Sequence, residues 1–210
     1  MIAIIDYDAG NLKSVEKALQ FLGQECVITR AFHEIKKADK VILPGVGSFG
    51  DAMSQLKKFE LDKVIHEVAA EQKPFLGICL GLQLLFEGSE ESDGVEGLHL
   101  LDGEILRIPE QEGLKIPNIG WNSLDLQNNG RLFENLNGNP FVYFVHSYYL
   151  DAENRSDVAT KTEYGISFDS SVAVPEINLY ATQFHPEKSG RVGLKILENF
   201  AKLGGDTLVR

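Results

Sequence analysis

Hydrophobic positions in the first part of the chain alternate between short apolar runs and helical spacing. The runs, each predicted to be a strand buried on both faces, are residues 2–5, 26–28, 41–43 and 75–78. Between them, apolar residues recur at the spacing of amphipathic helices, one of which has Asn11 as its predicted N-cap and Gly23 at its end. Further helices are predicted around residues 61–68 and from Gly81 to Phe86. Strands that alternate with helices in this way predict a parallel, doubly wound sheet.

After about residue 95 the pattern changes to short strands separated by Gly, Asn and Asp turns. These predicted strands are residues 98–109, 123–126, 141–150, 158–162 and 179–183. They favour antiparallel or mixed pairing in the second half, and residues 192–200 predict a closing amphipathic helix. The chain shows no repeat, low-complexity tract or linker, so the sequence predicts one α/β domain over residues 1–210.

Composition and charge exclude several classes of protein. With 210 residues, 43% of them apolar and 24% charged, the chain has the length and composition of one domain with a substantial core. Its formal net charge of −11 argues against binding to a nucleic-acid backbone. No apolar stretch approaches the length that spans a bilayer, and the start lacks the basic region of a signal peptide. With only Cys26 and Cys79, a disulfide framework is not expected, and the chain is predicted to be a cytoplasmic enzyme or binding domain.

Cys79 lies where an apolar run typical of a strand turns into a helical pattern, with glycines two positions to either side. Gly77-Ile78-Cys79-Leu80-Gly81 is the thiol counterpart of the Gly-x-Ser-x-Gly nucleophile elbow. Such a corner holds its side chain at the carboxyl edge of the sheet, where open α/β folds bind ligands. The dipole of the following helix favours thiolate, and free N–H groups there can stabilise an oxyanion. An isolated cysteine would instead be a small buried hydrophobe, but the flanking strand, helix and glycines favour a nucleophile.

His185 is the best candidate for the base that a nucleophilic thiol needs. It follows a predicted strand, and in extended backbone His185 and Glu187 point the same way. Because Pro186 stiffens the link, Glu187 can accept from one imidazole nitrogen while the other faces the thiol. On its own, His-Pro-Glu could equally be a surface turn. The remaining histidines are expected to be solvated or structural: His33, His66, His99 and His146.

Together, the cysteine and histidine segments resemble those of the class I (triad) glutamine amidotransferases. The resemblance rests on residues 77–83, GICLGLQ, and 183–187, QFHPE, and it runs over nearly the whole chain. It implies a single three-layer α/β domain with a mixed, mostly parallel central sheet flanked by helices. It also implies that Cys79 attacks the carboxamide of glutamine to give a glutamyl thioester and ammonia, while His185, oriented by Glu187, moves the protons. No metal or other cofactor is expected, because the His and Cys residues lack ligand spacing.

Four further stretches are similar to the glutaminase subunits of imidazole glycerol phosphate synthase, which serve histidine biosynthesis. They are residues 5–12, 43–49, 116–122 and 143–149. Ammonium has no lone pair, so a glutaminase that serves biosynthesis must transfer neutral ammonia without releasing it to water. The resemblance accordingly implies a heterodimer with a (β/α)8-barrel cyclase subunit, which docks over the active-site face and conducts the ammonia.

The resemblance also assigns roles to single residues. The implied oxyanion strand is Pro44, Gly45, Val46 and Gly47, where glycines suit a segment that changes conformation. The implied glutamine-binding residues are Gly47, Gln83, Glu91, Ser147 and Tyr148, with Glu91 expected to pair with the substrate ammonium. The positions implied to lie near the partner interface are Tyr7, Asn11, Pro117, Asn118, Trp121 and Lys188. This chain has Asn118 where the family usually has His, and DYDAGN at residues 6–11 where DYGMGN is commoner, so its interface is expected to differ in detail.

Three alternatives remain at this point. A paralogous glutaminase that feeds a sugar amidotransferase of surface-glycan synthesis would have the same motifs. A non-catalytic partner protein could keep the fold, although intact Cys79, His185 and Glu187 argue against it. An unrelated cysteine hydrolase would explain the elbow but not the segments at residues 44–47, 116–122 and 143–149.

Overall fold

Strands and helices alternate through the first part of the chain in the computed structural model, which describes residues 1–127 and 130–204. The strands are β1 (Ile2–Ile5), β2 (Cys26–Thr29), β3 (Lys40–Gly45) and β4 (Phe75–Cys79). The helices are α1 (Leu12–Phe21), α2 (Phe32–Lys37), α3 (Phe49–Lys58), α4 (Leu61–Ala70) and α5 (Leu80–Gln83). Every residue of β1 is buried, as expected for a run without polar positions. The predicted early strands and the two predicted helices around residues 12–22 and 61–68 are confirmed.

Short strands dominate the rest of the described chain. They are β5 (Gly88–Ser89), β6 (Gly103–Arg107), β7 (Asn118–Ser123), β8 (Asp125–Leu126), β9 (Phe141–His146), β10 (Tyr148–Ala152), β11 (Val158–Glu163), β12 (Ser167–Val174) and β13 (Leu179–Thr182). Helix α6 (Gly190–Lys202) follows, as its amphipathic pattern predicts. Residues 128–129 and 205–210 of the predicted domain lie outside the described residues.

One sheet of eleven strands forms the middle of the molecule, with the main order β2-β1-β3-β4-β13-β12-β10-β6-β5 and with β11 and β8 attached through β12. The first five strands of this order pair in parallel. Beyond β13 the pairing is antiparallel as far as β6, so the mixed pairing predicted for the second half is confirmed. Strands β7 and β9 form a separate antiparallel ribbon of two strands.

Strand β13 lies beside β4 and so brings the segment that follows it close to Cys79. It pairs in parallel with β4, with Thr182 opposite Ile78. On the other side of β4, Gly45 at the end of β3 lies opposite Cys79. Because the carboxyl ends of parallel strands meet at the same edge of a sheet, the segments that follow β3, β4 and β13 leave it side by side.

Helices cover both faces of this sheet. The side chains that α3 and α4 bury on one face include Phe49, Leu56, Leu61 and Val64. Those that α1 and α6 bury on the other face include Val15, Leu19, Leu197 and Phe200. The predicted three-layer α/β domain around a mixed sheet is therefore confirmed. Within the described residues, no helix has the length and hydrophobicity needed to cross a bilayer.

Two predicted elements have different limits in the structure. The helix predicted from Gly81 to Phe86 ends at Gln83, because the carbonyl groups of Leu84 and Leu85 accept from N–H groups of residues 98–101 instead of continuing the helix. The strand predicted at residues 141–150 is interrupted at Ser147, where β9 of the ribbon ends and β10 of the main sheet begins. The strands predicted at 98–109 and 123–126 are also shorter, as β6 and β8.

The sequence pattern missed β12, which lies in the middle of the sheet. Its sequence includes Asp169, Ser170 and Ser171, and all three are buried. These polar groups are satisfied by distant residues: Asp169 accepts from Arg155 at 2.6 Å, and both serine hydroxyls bond to Thr160. A buried strand with polar side chains is stable only with such partners, which local hydrophobic periodicity does not reveal.

Candidate active site

Cys79 occupies a sharp corner between β4 and α5. Its backbone has φ 55° and ψ −110°, a conformation that side-chain-bearing residues rarely adopt. The flanking glycines make the corner possible, because a Cβ at Gly77 would lie 2.7 Å from the carbonyl oxygen of Gly81, and a Cβ at Gly81 would clash with the carbonyl oxygen of Leu43. The nucleophile-elbow geometry expected from the motif is therefore present at this sheet edge, with Cys79 only 7% exposed.

His185 and Glu187 form a buried pair just after β13. Nδ1 of His185 donates to Oε1 of Glu187 at 2.7 Å, and both side chains are fully buried. The same oxygen accepts from Nδ2 of Asn11 at 2.5 Å. Asn11 stands at the N-cap position of α1 but has a left-handed backbone and makes no capping bond. The predicted capping role of Asn11 is thus wrong, and its side chain supports Glu187 instead.

The other ring nitrogen of His185 is available for the thiol. Nε2 is buried and makes no hydrogen bond of normal distance and angle within the described residues. Burial, the largest influence, lowers the pKa of His185, but its interactions with the neighbouring Cys79 and with Glu187 outweigh it and raise the pKa to about 9. The ring can therefore hold a proton taken from the thiol, which is the requirement for a general base in nucleophilic catalysis.

A cavity of about 270 Å³ opens beside the cysteine. It is lined by all five residues predicted to bind glutamine, Gly47, Gln83, Glu91, Ser147 and Tyr148, together with Val46, Cys79, Leu80, Pro117, Val145 and His146. Glu91 accepts from the backbone N–H of Phe49 at 2.7 Å, which fixes its carboxylate at the start of α3. The structure thus brings the predicted substrate residues and the thiol to one cavity.

The predicted oxyanion strand lies along the cavity next to Cys79. Pro44 and Gly45 still belong to β3, while Val46 and Gly47 follow it, with Gly47 at φ 107°. The N–H groups of Val46 and Gly47 donate no hydrogen bond within residues 1–127 and 130–204. Those two N–H groups are therefore free to bind a ligand oxygen. The first N–H groups of a helix have no partner within the helix, so those at the start of α5, just after Cys79, can also bind such an oxygen.

Gln183 is a site residue that the sequence reasoning missed. It is fully buried, and its Nε2 faces the sulfur of Cys79 at 3.7 Å. Its Oε1 accepts from Nε2 of Gln83 at 3.0 Å, so the amide connects a cavity residue with the thiol. The signal that could have found it is alternation, because in extended backbone residues 183 and 185 share one side. Glu187 does not continue this alternation, since it lies in a short 3-10 turn, Pro186–Lys188. The extended backbone predicted for His185 to Glu187 is therefore wrong, although the predicted hydrogen bond between the two side chains is present.

The residues predicted near a partner interface divide into exposed and buried ones. Pro117, Lys188 and Trp121 are exposed, the last at 57%. Asn11 is half-buried, and Tyr7 and Asn118 are only 2% and 3% exposed, so the assignment of these three residues to the region of the interface stays a prediction. The hydroxyl of Tyr7 donates to the carbonyl oxygen of Pro44 at 2.9 Å, beneath the predicted oxyanion strand.

Among the histidines, His33, His66 and His99 are exposed. His146 is buried, and this burial, together with the nearby His185, lowers its pKa to about 4 although a hydrogen bond to the carbonyl of Tyr148 acts in the opposite direction. A neutral ring with both nitrogens hydrogen-bonded agrees with the structural role expected for it. Among the described residues, no group of three or more His, Cys, Asp or Glu side chains is arranged to hold a metal ion.

Comparison with known proteins agrees with this geometry. The model of the family "Glutamine amidotransferase class-I" matches residues 3–203. The chain is 47% identical over 203 residues to "Imidazole glycerol phosphate synthase subunit HisH" of Methanocaldococcus jannaschii, covering 97% of this chain and 100% of the relative. It is 50% identical over 202 residues to the protein of the same name from Moorella thermoacetica, covering 96% and 94%.

A solved structure with the same fold is a "glutamine amidotransferase", at a TM-score of 0.76 and 16% identity over 98% of this chain and 99% of that one. The chain belongs to the class I glutamine amidotransferase family and, within it, to the HisH subunits of imidazole glycerol phosphate synthase.

Proposed function

We propose that this chain is the glutaminase subunit of an imidazole glycerol phosphate synthase, with Cys79, His185 and Glu187 as its catalytic triad. The observation that carries the proposal is the strained cysteine corner, which opens into a cavity on one side and faces a buried His–Glu pair on the other. The identity of nearly half of the chain to HisH subunits over their whole length supports the same function.

In the proposed reaction His185 takes the proton of the Cys79 thiol, and the sulfur attacks the carboxamide carbon of glutamine. N–H groups of the segment after β3 and of the start of α5 stabilise the oxygen that becomes negative. His185 gives its proton to the leaving nitrogen, so ammonia departs and a glutamyl thioester remains. His185 then takes a proton from water, and the resulting hydroxide attacks the thioester. The carbon–sulfur bond breaks, glutamate leaves, and His185 returns the proton to the sulfur to restore the thiol.

The amino and carboxylate groups on the α-carbon of glutamine are proposed to be held by polar residues that line the cavity. Glu91 supplies negative charge for the ammonium, and its position is fixed by the N–H of Phe49. Ser147 and Tyr148, at the corner between β9 and β10, line the same cavity. Glutamine has a charged amino-acid part and a neutral carboxamide. The charged part would lie at Glu91 and the carboxamide at Cys79, so the molecule matches the groups that line the cavity.

A partner subunit is proposed to receive the ammonia. One face of the β7–β9 ribbon exposes apolar side chains, Ile119 at 59%, Trp121 at 57% and Phe141 at 56%, beside the cavity residue Pro117. A contiguous exposed apolar patch at the rim of an active site is typical of a protein interface. We propose that a (β/α)8-barrel cyclase covers this ribbon in a heterodimer and conducts neutral ammonia to its own substrate, in the cytoplasm. The surface-glycan alternative is not favoured, because the relatives that match over nearly their whole length are HisH subunits.

The test is a glutaminase assay of the full chain, alone and with a cyclase subunit and its nucleotide ligand. We expect slow hydrolysis by the chain alone, faster hydrolysis in the complex, and none with Cys79→Ala. Cys26→Ala is the matched control, because Cys26 is the other free cysteine and lies on β2, away from the cavity. A chain that is as fast alone as in the complex would refute the partner requirement. Equal activity of the two alanine variants would refute the assignment of Cys79.

A further inference from the structure

The inner side of the ribbon contains a buried hydrogen bond that the proposed reaction does not use. Nδ2 of Asn118 donates to Nε2 of His146 at 3.0 Å. The two residues are opposite one another in the β7–β9 ladder, and they are 3% and 5% exposed. Buried polar groups are paired for structural or functional reasons, so this bond calls for an explanation.

His146 connects Asn118 with the glutamine cavity. Its Nδ1–H donates to the carbonyl oxygen of Tyr148 at 2.7 Å, and the same carbonyl accepts from Nε2 of Gln83 at 3.3 Å. In a neutral imidazole with a proton on Nδ1, Nε2 can only accept, and in a buried position it needs a donor. Asn118 is that donor, so the ring is held at both of its nitrogens.

The hydrogen bonds of the His146 ring cross a corner between two strands. His146 ends β9 and Tyr148 begins β10, with Ser147 as the single residue between them. At this corner the ladder partner changes from β7 of the ribbon to β6 of the main sheet. At the corner itself the carbonyl oxygen of Ser147 accepts from the N–H of Ile108 at 3.0 Å. The side-chain hydrogen bonds of His146 add a connection across the corner, and both Ser147 and Tyr148 line the cavity.

We propose that Asn118 is a positioning residue for glutamine binding, acting through His146 to hold the Ser147–Tyr148 corner against Gln83. The inference rests on the proposed function, because the corner positions a substrate only if glutamine occupies the cavity. Asn118 does not line that cavity. Its loss should therefore weaken recognition of the amino-acid part of glutamine and leave the reactivity of the thiol unchanged.

The test compares two electrophiles with the same reactive group. A chloroketone analogue of glutamine carries the amino-acid part, and chloroacetone does not. The rates at which each alkylates Cys79 in the full chain are measured by mass spectrometry, and their ratio reports recognition alone. The variants are Asn118→Leu and Asn118→Ala, which both remove the donor and leave no polar group at this position. Asn122→Leu is the matched control, since Asn122 lies on the same strand and donates to the carbonyl of Glu163 at 2.8 Å, outside the cavity.

We expect the ratio to fall about 5- to 30-fold in the Asn118 variants, as the loss of one buried donor suggests. The chloroacetone rate should stay within twofold of wild type, and Asn122→Leu should keep the wild-type ratio. An unchanged ratio overturns the proposal, as does an equal fall in both rates. If Asn118→Leu does not fold, Asn118→Ala decides, and failure of both to fold also overturns the positioning role. A wild-type chain that shows no preference for the glutamine analogue would instead refute the proposed function.

Discussion

Replacing Gly77 by Ala tests whether the close packing beneath the cysteine corner positions the thiol. A Cβ at this position would lie 2.7 Å from the carbonyl oxygen of Gly81 and 2.9 Å from its carbonyl carbon, where ordinary contacts begin at 3.4 Å. Both are backbone atoms, so no side chain can rotate away. The turn into α5 must therefore move from β4 by about 0.7 Å, since packed interiors have no free space to absorb the methyl group.

The cost follows from that displacement. Overpacking of this kind lowers the free energy of unfolding by about 1–3 kcal/mol. Ala also reduces the conformational entropy of the unfolded chain, which offsets about 0.4–1 kcal/mol of this loss. We expect Gly77→Ala to lower the free energy of unfolding by about 1–2 kcal/mol, and Tm by about 2–8 °C for a domain of this size. Because a misplacement on the order of 1 Å costs about 100-fold in rate, glutamine hydrolysis by the complex should slow by about 10- to 100-fold.

The assays are thermal unfolding followed by circular dichroism and glutaminase activity with the cyclase partner. Gly88→Ala is the matched control, because a Cβ at Gly88 would make an ordinary contact of 3.5 Å with the carbonyl oxygen of Val95. That variant should unfold and react like the wild type. The packing argument is refuted if Gly77→Ala has the same Tm and the same activity as the control.

Three other substitutions test single interactions at the site. Because the pKa of His185 is raised to about 9, the stability that this group contributes is fully present below about pH 6.5 and is lost as the pH rises through 9. Glu187→Gln removes one of the interactions that raise the pKa of His185. The difference in free energy of unfolding between wild type and this variant, measured by urea titration, should therefore shrink from about pH 6.5 to 9. A difference that stays constant over this range would contradict the reasoning. Gln183→Leu removes the donor that faces Cys79 at 3.7 Å and should lower kcat/KM for glutamine about tenfold in the complex, whereas wild-type kinetics would exclude a role for this amide. Tyr7→Phe leaves a buried carbonyl unpaired and should lower the free energy of unfolding by about 1–3 kcal/mol in urea, and an unchanged value would show that the bond is dispensable.

The cysteine corner could be predicted from sequence because all of its determinants are local. Gly77 and Gly81 flank Cys79 within one short segment, with a strand before it and a helix after it. The pairing of His185 with Glu187 is local too, since the two residues are two positions apart and a short 3-10 turn, Pro186–Lys188, brings their side chains together. Where chemistry depends on neighbours in sequence, the pattern of residue types is sufficient.

The contacts that local sequence did not reveal join distant parts of the chain. Asn11 has the residue type of a helix cap, yet its amide bonds to Glu187, 176 positions away. Tyr7 and Asn118 were expected near the partner interface, and their buried polar atoms bond to a strand carbonyl and to a histidine ring. Competition between a local cap and a distant carboxylate is decided by the tertiary fold, which residue types alone do not contain.

The register of β13 beside β4 connects these local and distant features. All four residues of β13 are buried, so burial alone does not distinguish one register from the next, although a shift of one residue would reverse every side chain. Such a shift would turn His185 and Gln183 away from the thiol and bring Phe184 towards it. What opposes the shift is the polar set on the site side: the Gln83–Gln183 bond and the pair of bonds that Glu187 accepts from His185 and Asn11. The buried hydrogen bonds that prepare the triad therefore also specify the strand register on which the triad depends.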